Sequence, residues 1–358
     1  MWKMSTTMFE VQSVQSKMKI LMINPSCWTY GGAEKVLVSL CNWLTENHHT
    51  VSLITTQICE EVKNNLKDTR VIFCKDLDEL QDTIQFICFD FDVLHIHNEP
   101  AYLTVYPRSR NVVWSCNEPP HLHKPEPTPK EKMIVQNFKA ITADEFNRKR
   151  LKCLYGIDST IINYPVDYKF FSKVPTKSEI KKVKEEFEID KPFIIQAGFI
   201  AETKNQLETV DIFKKVRDKV DCKLLLVGHP TKYIEDVKRK VEGYRLIGDV
   251  SIHKFVSREK LRVLYYLASA SLMPLNEQGG WLSVFESISA GVPTFVSERA
   301  TCSSILKEKK VGHIIDKNTP KKIVSYIKKD EKIKPKFVDE LTIDKYCKEV
   351  MKVYEKFR

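Results

Sequence analysis

Met18-Lys19-Ile20-Leu21-Met22-Ile23-Asn24-Pro25 is a short apolar run that ends in turn chemistry. Its near-continuous apolar character is that of a parallel strand buried on both faces. A loop follows at residues 26–32. Then comes Ala33-Glu34-Lys35-Val36-Leu37-Val38-Ser39-Leu40-Cys41-Asn42-Trp43-Leu44, in which Val36, Leu37, Leu40, Trp43 and Leu44 recur at helical spacing. Residues 50–55 return to a strand pattern. Strand, loop, helix, strand is the repeating unit of a doubly wound parallel sheet.

Working outward, the same alternation continues. Strands are expected at residues 71–74, 92–97, 111–116, 139–143 and 160–163, with helices at 77–86 and from 144 or 145 to 154. Residues 168–191 are charged and carry no strand pattern, which marks a domain boundary. The alternation restarts with strands at 193–197, 223–227, 250–255, 270–274 and 294–296. The helices between them fall at 206–220, 233–241, 258–267 and 284–290. The expected class is therefore α/β, with two Rossmann-like domains facing each other across a cleft. In open sheets of this kind ligands sit at the carboxyl ends of strands. A chain of 358 residues suits two domains. The division expected is an extension at 1–17, a first domain at 18–168, a second at 169–341 and a final helical segment at 342–358.

Composition narrows the function classes. A hydrophobic fraction of 42% is enough for ordinary cores. The formal net charge of +10 favours contact with phosphorylated ligands or anionic surfaces. The lysine-rich stretch at 307–336 reads as a solvated face, and no aromatic platform accompanies it, so nucleic acid is not an expected partner. The ten cysteines are scattered singly, without the spacing of a zinc site, so no metal is expected. Buried free thiols fit a reducing, cytoplasmic setting. No apolar run reaches the ~20 residues a membrane helix needs, and residues 1–17 lack the apolar core of a signal peptide.

Several segments just after strands can carry chemistry. Gly31 and Gly32 follow the first strand and open a helix, where free N–H groups attract an anion. Glu34 near that helix start reads as dipole compensation. His95 and His97 share one face of a strand. His97 is nearer the cleft, and His95 reads as a hydrogen-bonded core residue. Asn117 and Glu118 follow the next strand, either as polar groups for hydroxyls or as loop caps. Gly198 ends the first strand of the second domain, with Lys204 just before a helix, a sensible diphosphate site. The richest stretch is Pro274-Leu275-Asn276-Glu277-Gln278-Gly279-Gly280-Trp281-Leu282-Ser283-Val284-Phe285-Glu286-Ser287-Ile288-Ser289-Ala290-Gly291-Val292-Pro293. Glu286 lies among apolar residues there. If buried, it needs a hydroxyl or a cation as partner.

Taken in order, these segments resemble the family 4 glycosyltransferases of the GT-B fold. The resemblance runs from about Met18 to the C-terminus. It rests on Gly31-Gly32-Ala33-Glu34-Lys35-Val36, 92–97, 114–120, 164–167, 198–205 and 276–293. It implies a nucleotide-sugar donor held mainly by the second domain, an acceptor at the first, and transfer of a hexosyl-type group with retention of anomeric configuration. It also implies no essential metal, no cofactor beyond the donor as co-substrate, and a C-terminal helix that crosses back to the first domain. The acceptor would be a glycan, a lipid-linked molecule or a protein. Peripheral contact with an anionic membrane follows from the net charge and from the lipid-linked acceptors common in such families.

Carried onto this sequence, the resemblance gives Glu286 the ribose hydroxyls and Lys204 the leaving diphosphate. It places Gly31, Gly32, Gly198, Gly279, Gly280, Leu282 and Ser283 along the donor, Glu277 or Gln278 at the donor sugar, and His97 near the reacting centre. Asn117 and Glu118 fall on the acceptor side. Three positions depart from the family pattern. Phe199 stands where an arginine usually follows the glycine. Gln278, not an acid, lies at the expected separation from Glu286, with Glu277 one step away. Asn117 takes the place of a histidine. A nucleotide-sugar-binding protein without turnover is the alternative reading.

Overall fold

The computed structural model describes residues 17–98, 101–105, 111–116, 126–254, 256–276, 281–330, 333 and 341–358. The first half contains β1 (Lys19–Ile23), β2 (Ser26–Cys27), α1 (Gly32–Glu46), β3 (Thr50–Thr55), β4 (Gln57–Ile58), α2 (Glu60–Asn65) and β5 (Arg70–Phe73). It continues with α3 (Leu77–Ile87), β6 (Val93–His97), β7 (Val112–Cys116), α4 (Pro129–Val135), β8 (Lys139–Thr142), α5 (Glu145–Tyr155) and β9 (Ser159–Ile161). The second half runs through α6 (Tyr168–Phe171), α7 (Lys177–Glu186), β10 (Phe193–Ala197), α8 (Gln206–Arg217), β11 (Lys223–Val227), α9 (Ile234–Gly243), β12 (Val250–His253) and α10 (Arg258–Leu267). It ends with β13 (Ala270–Met273), α11 (Trp281–Ser289), β14 (Thr294–Val296), α12 (Ser303–Lys309), β15 (His313–Ile314), α13 (Thr319–Lys329) and α14 (Ile343–Glu355).

Two parallel sheets result. The first is seven-stranded in the order β5-β3-β1-β6-β7-β8-β9, and the second six-stranded in the order β12-β11-β10-β13-β14-β15. In each, the strand order reverses beside the first strand of its domain, between β1 and β6 and between β10 and β13. A crevice opens at such a reversal because the connections on its two sides run to opposite faces. The residues after β1, β6, β10 and β13 are therefore the ones presented to a ligand.

The strands are apolar because both faces are covered. Ile20 and Met22 pack toward α1 and α14, in a core with Leu37, Leu40 and Leu44. Leu21 and Ile23 face the opposite way, with Leu80, Ile84, Ile96 and Trp114. The second sheet divides likewise between clusters around Phe213 and around Tyr265. A further apolar cluster joins the halves, where Ala143 and Val166 meet Trp281, Val284 and Phe285. Each such side chain, fully buried, contributes about 1.5–3 kcal/mol of transfer free energy.

The last helix closes on the first half. In α14, Tyr346, Cys347, Val350, Met351, Val353 and Tyr354 are buried, and the cluster they join is the one around α1. Trp43 Nε1–H donates to Asp344 Oδ1 at 3.2 Å, and Thr342 caps the helix by accepting from the Lys345 N–H.

The expected long elements all appear. Helix α11 already includes Trp281, ahead of the expected 284, and β12 ends at His253. Helix α7 lies inside the charged stretch taken as a boundary. Only Val183 is buried in it, and a Thr176/Glu179 capping box starts it, so an apolar stripe gave little signal there. The pairs β2 and β4 are two residues each, too short for any period to register.

Candidate functional site

The first-domain wall of the cleft begins after β1. Asn24 is buried there, and its amide donates to Cys27 Sγ at 3.2 Å. The chain then pairs Ser26–Cys27 with Gln57–Ile58 and turns through Gly31 into α1. The Gly31 N–H donates to Glu34 Oε2 at 3.1 Å, so Glu34 satisfies the helix start as expected. A Cβ on Gly31 would come within 2.9 Å of that oxygen. A Cβ on Gly32 would lie 3.5 Å from Leu282 Cδ1, so the start of α1 touches α11 of the second domain.

His97 ends β6 and is 1% exposed. Among the described residues neither of its ring nitrogens has a hydrogen-bond partner. Burial pushes its imidazolium pKa down to about 3, so the ring is neutral at ordinary pH. It packs on His95, with ring centroids 4.4 Å apart. His95 is the core residue expected: Nδ1 lies 2.6 Å from Tyr354 Oη and Nε2 lies 2.7 Å from Ser115 Oγ. Burial, with a smaller contribution from His97, holds its pKa well below the usual range. The final helix thus supports the His97 ring through Tyr354 and His95.

The second-domain wall starts at β10. Gln196 uses both ends of its amide. Nε2–H donates to the Lys204 carbonyl at 2.7 Å, and Oε1 accepts from Thr209 Oγ1 at 2.6 Å. This fixes the short turn Glu202–Lys204 relative to the strand. Asn205 closes the turn in the left-handed region, with φ at 53°, and caps α8. The Lys204 Cε then lies 4.0 Å from where a Gly198 Cβ would stand. The backbone at Gly198 is crowded from the other side as well. A Cβ on Gly228, whose φ is 154°, would sit 1.8 Å from the Gly198 carbonyl oxygen. Only a glycine at 228 allows the ends of β10 and β11 to approach in this way.

Glu286 lies in α11 and is 5% exposed. Its Oε1 is 3.5 Å from Lys35 Nζ of α1, on the opposite wall. The buried carboxylate therefore has the cationic partner that its apolar surroundings require. Leu282 and Ser283 lie in the same helix, with Leu282 beside the start of α1. Below them Trp281 Nε1–H is shared between Asp144 Oδ2 at 3.2 Å and Thr301 Oγ1 at 3.1 Å, a second tie between the halves. Burial raises the Asp144 pKa, and its hydrogen bonds, the Asn147 N–H first, oppose the rise.

The structure thus brings Gly32 to Leu282 and Lys35 of the same helix to Glu286, sets Lys204 over Gly198, and buries His97 against His95 at the end of β6. Asn117, Glu118, Glu277, Gln278, Gly279 and Gly280 lie outside the described residues. Lys35, Trp28, His229 and Asp144 also face or cross the cleft and carried no signal of their own in the sequence. Each depends on a partner from the other half. Among the described residues, no three of His, Cys, Asp and Glu gather as a metal-binding group, and no helix is long and apolar enough to cross a membrane.

Comparison with known proteins bears on this geometry. Residues 177–342 match the family described as Glycosyl transferases group 1. Among solved structures, a glycosyltransferase from Rickettsia africae ESF-5 superposes with a TM-score of 0.76 at 14% identity, over 95% of this chain and 98% of that one. HepE of Anabaena, solved with UDP and glucose, gives 0.72 at 13% identity over 95% and 98%. Sucrose-phosphate synthase from Thermosynechococcus elongatus gives 0.66 at 14% identity over 95% and 96%. A search of curated proteins gives no match. The chain therefore shares the two-domain GT-B fold of these structures, and its residues 177–342 match the group 1 glycosyl transferase model.

Proposed function

We propose that the chain transfers a hexosyl group from a nucleotide-sugar donor to an acceptor hydroxyl with retention of anomeric configuration, as the family 4 enzymes do. The observation that carries this is Glu286, a carboxylate 5% exposed at the cleft and 3.5 Å from a lysine of the opposite wall. Such a group accepts hydrogen bonds from a ribose diol without having to be freshly desolvated. UDP, bound by the Anabaena neighbour, is the first base to test.

In this reading the bond between the anomeric carbon and the diphosphate oxygen breaks through an oxocarbenium-like state. Negative charge grows on the leaving diphosphate. The Lys204 ammonium stabilises it, with Gly198, Leu282 and Ser283 beside the donor and Gly279 and Gly280 completing the donor loop. Gly31 and Gly32 let the opposite backbone approach the same phosphates. His97, neutral, offers one donor and one acceptor to a sugar hydroxyl, which would satisfy nitrogens otherwise left unpaired at about 1–3 kcal/mol each. Glu277 or Gln278 takes further donor-sugar hydroxyls, and Asn117 and Glu118 face the acceptor. The donor is the co-substrate, and neither metal nor other cofactor takes part. The acceptor is a glycan, a lipid-linked molecule or a protein, reached from the cytoplasm with peripheral contact to an anionic membrane.

A thermal-shift panel with UDP-, GDP- and dTDP-sugars tests the reading. A donor at 100 times its dissociation constant adds about 2.7 kcal/mol to stability. No shift with any donor would overturn it. Phe199, in the place of an arginine, favours a second reading in which donor binds without turnover. A shift accompanied by neither transfer nor hydrolysis would select that one.

A further inference from the structure

Three aromatic rings meet where the two walls face each other. Trp28 follows β2 in the first domain. His229 follows Gly228 at the end of β11, and Phe199 follows Gly198 at the end of β10. The Trp28 and His229 ring centroids are 5.8 Å apart at 73°, and those of His229 and Phe199 are 6.1 Å apart at 86°. We propose that these rings form a stacking subsite for a pyranose ring, with Trp28 as its floor.

Three features support a ligand here beyond contact between the domains. Trp28 remains 50% exposed although it touches the opposite wall, so the contact leaves much of a large apolar face in water. The segment that carries it is held firmly, by pairing of Ser26–Cys27 with Gln57–Ile58 and by the bond from the Cys59 N–H to the Cys27 carbonyl at 2.9 Å. The position is also tied to the diphosphate site. Gly198 and Gly228, the residues before Phe199 and His229, are in backbone contact, and the Lys204 stem lies over Gly198.

A pyranose fits such a place. Its C–H face is apolar and weakly positive, suited to the negative face of an indole, while its hydroxyl edge needs polar partners. His229 supplies one, and Asn98, whose amide donates to Asn24 Oδ1 at 3.4 Å, lies on the same wall as Trp28. The Phe199 ring, uncharged, turns the position beside Gly198 from an anion contact into a wall for an apolar ring face. The pyranose is either the sugar of the donor or a sugar of the acceptor, and the two are separable by experiment.

The subsite rests on the nucleotide-sugar reading of the cleft, and UDP binding checks that reading separately. Affinities for UDP and UDP-glucose are measured by calorimetry for the wild-type chain, Trp28→Ala and Trp28→Phe. Tryptophan emission is titrated with maltose, cellobiose and lactose. If the donor sugar stacks, the ratio of UDP-glucose to UDP affinity falls by about 3- to 10-fold in Trp28→Ala and is largely kept in Trp28→Phe. If an acceptor sugar stacks, that ratio holds, and a saturable emission change with a disaccharide disappears in Trp28→Ala. Should Trp28→Ala change only the melting temperature, with the ratio intact and no Trp28-dependent emission change in the wild type, the rings are an adhesive contact between domains and the subsite is refuted. Absence of UDP binding in the wild type would instead count against the underlying reading, with the disaccharide titration still deciding for or against the stacking site.

Discussion

Lys35 and Glu286 form an ion pair across the cleft, Nζ to Oε1 at 3.5 Å, with the lysine on α1 and the carboxylate on α11. The same carboxylate is the group proposed to take the donor ribose. A ligand diol and the lysine would then share it.

Replacing one partner should show this coupling. Lys35→Met leaves a carboxylate in apolar surroundings. The cost expected is about 1–2 kcal/mol, below the ~3–5 kcal/mol of a fully buried pair because Lys35 is a quarter exposed. Lys35→Met with Glu286→Gln should recover most of that loss in urea unfolding, while nucleotide affinity stays impaired. Recovery of both together would deny Glu286 its ligand role.

The leaving-group site makes a gain-of-function prediction. Phe199→Arg restores a cation beside Gly198 and Lys204. One charge-assisted hydrogen bond of about 1.5 kcal/mol should tighten UDP binding by roughly 10-fold, with a steeper dependence on salt. Lys204→Met should act the other way and lower turnover by about 100-fold, the scale for losing one donor to a developing anion. Calorimetry and steady-state kinetics read the two effects.

His97 gives a pH prediction. Its pKa falls from about 6.5 in the unfolded chain to about 3 in the folded one. The unfolded state therefore binds the extra proton throughout that window. Stability should drop as pH falls below about 6.5, by up to ~1.4 kcal/mol per unit, and the loss should level off near pH 3. Urea midpoints between pH 7.5 and 5 should fall less steeply in His97→Gln than in the wild type. Equal slopes would show that burial does not govern this ring.

Gly228→Ala should be among the most damaging single-atom additions in the chain. The new Cβ would sit 1.8 Å from the Gly198 carbonyl oxygen at a φ of 154°. About 3 kcal/mol or more is expected from clash and backbone strain together. Gly31→Ala should cost much less, about 1 kcal/mol, since the atom it meets is the movable end of Glu34. Thermal melts of the two variants compare directly.

The amino-acid sequence carried the fold through periodicity. The runs at β1, β3, β6, β10 and β11 have no solvent-exposed face because both sides of each sheet are covered. It also singled out His97, Gly198 and Lys204 from their places at strand ends, and Glu286 as a carboxylate among apolar residues. It could state that a buried Glu286 needs a partner, and nothing in the chain named Lys35. Local pattern determines which groups stand at the ends of strands. Only the tertiary structure decides which of them meet: Lys35 with Glu286, Trp28 with His229, Trp281 with Asp144. Those pairs join segments far apart in the chain, and their energies arise only once packing has excluded water from between the two domains.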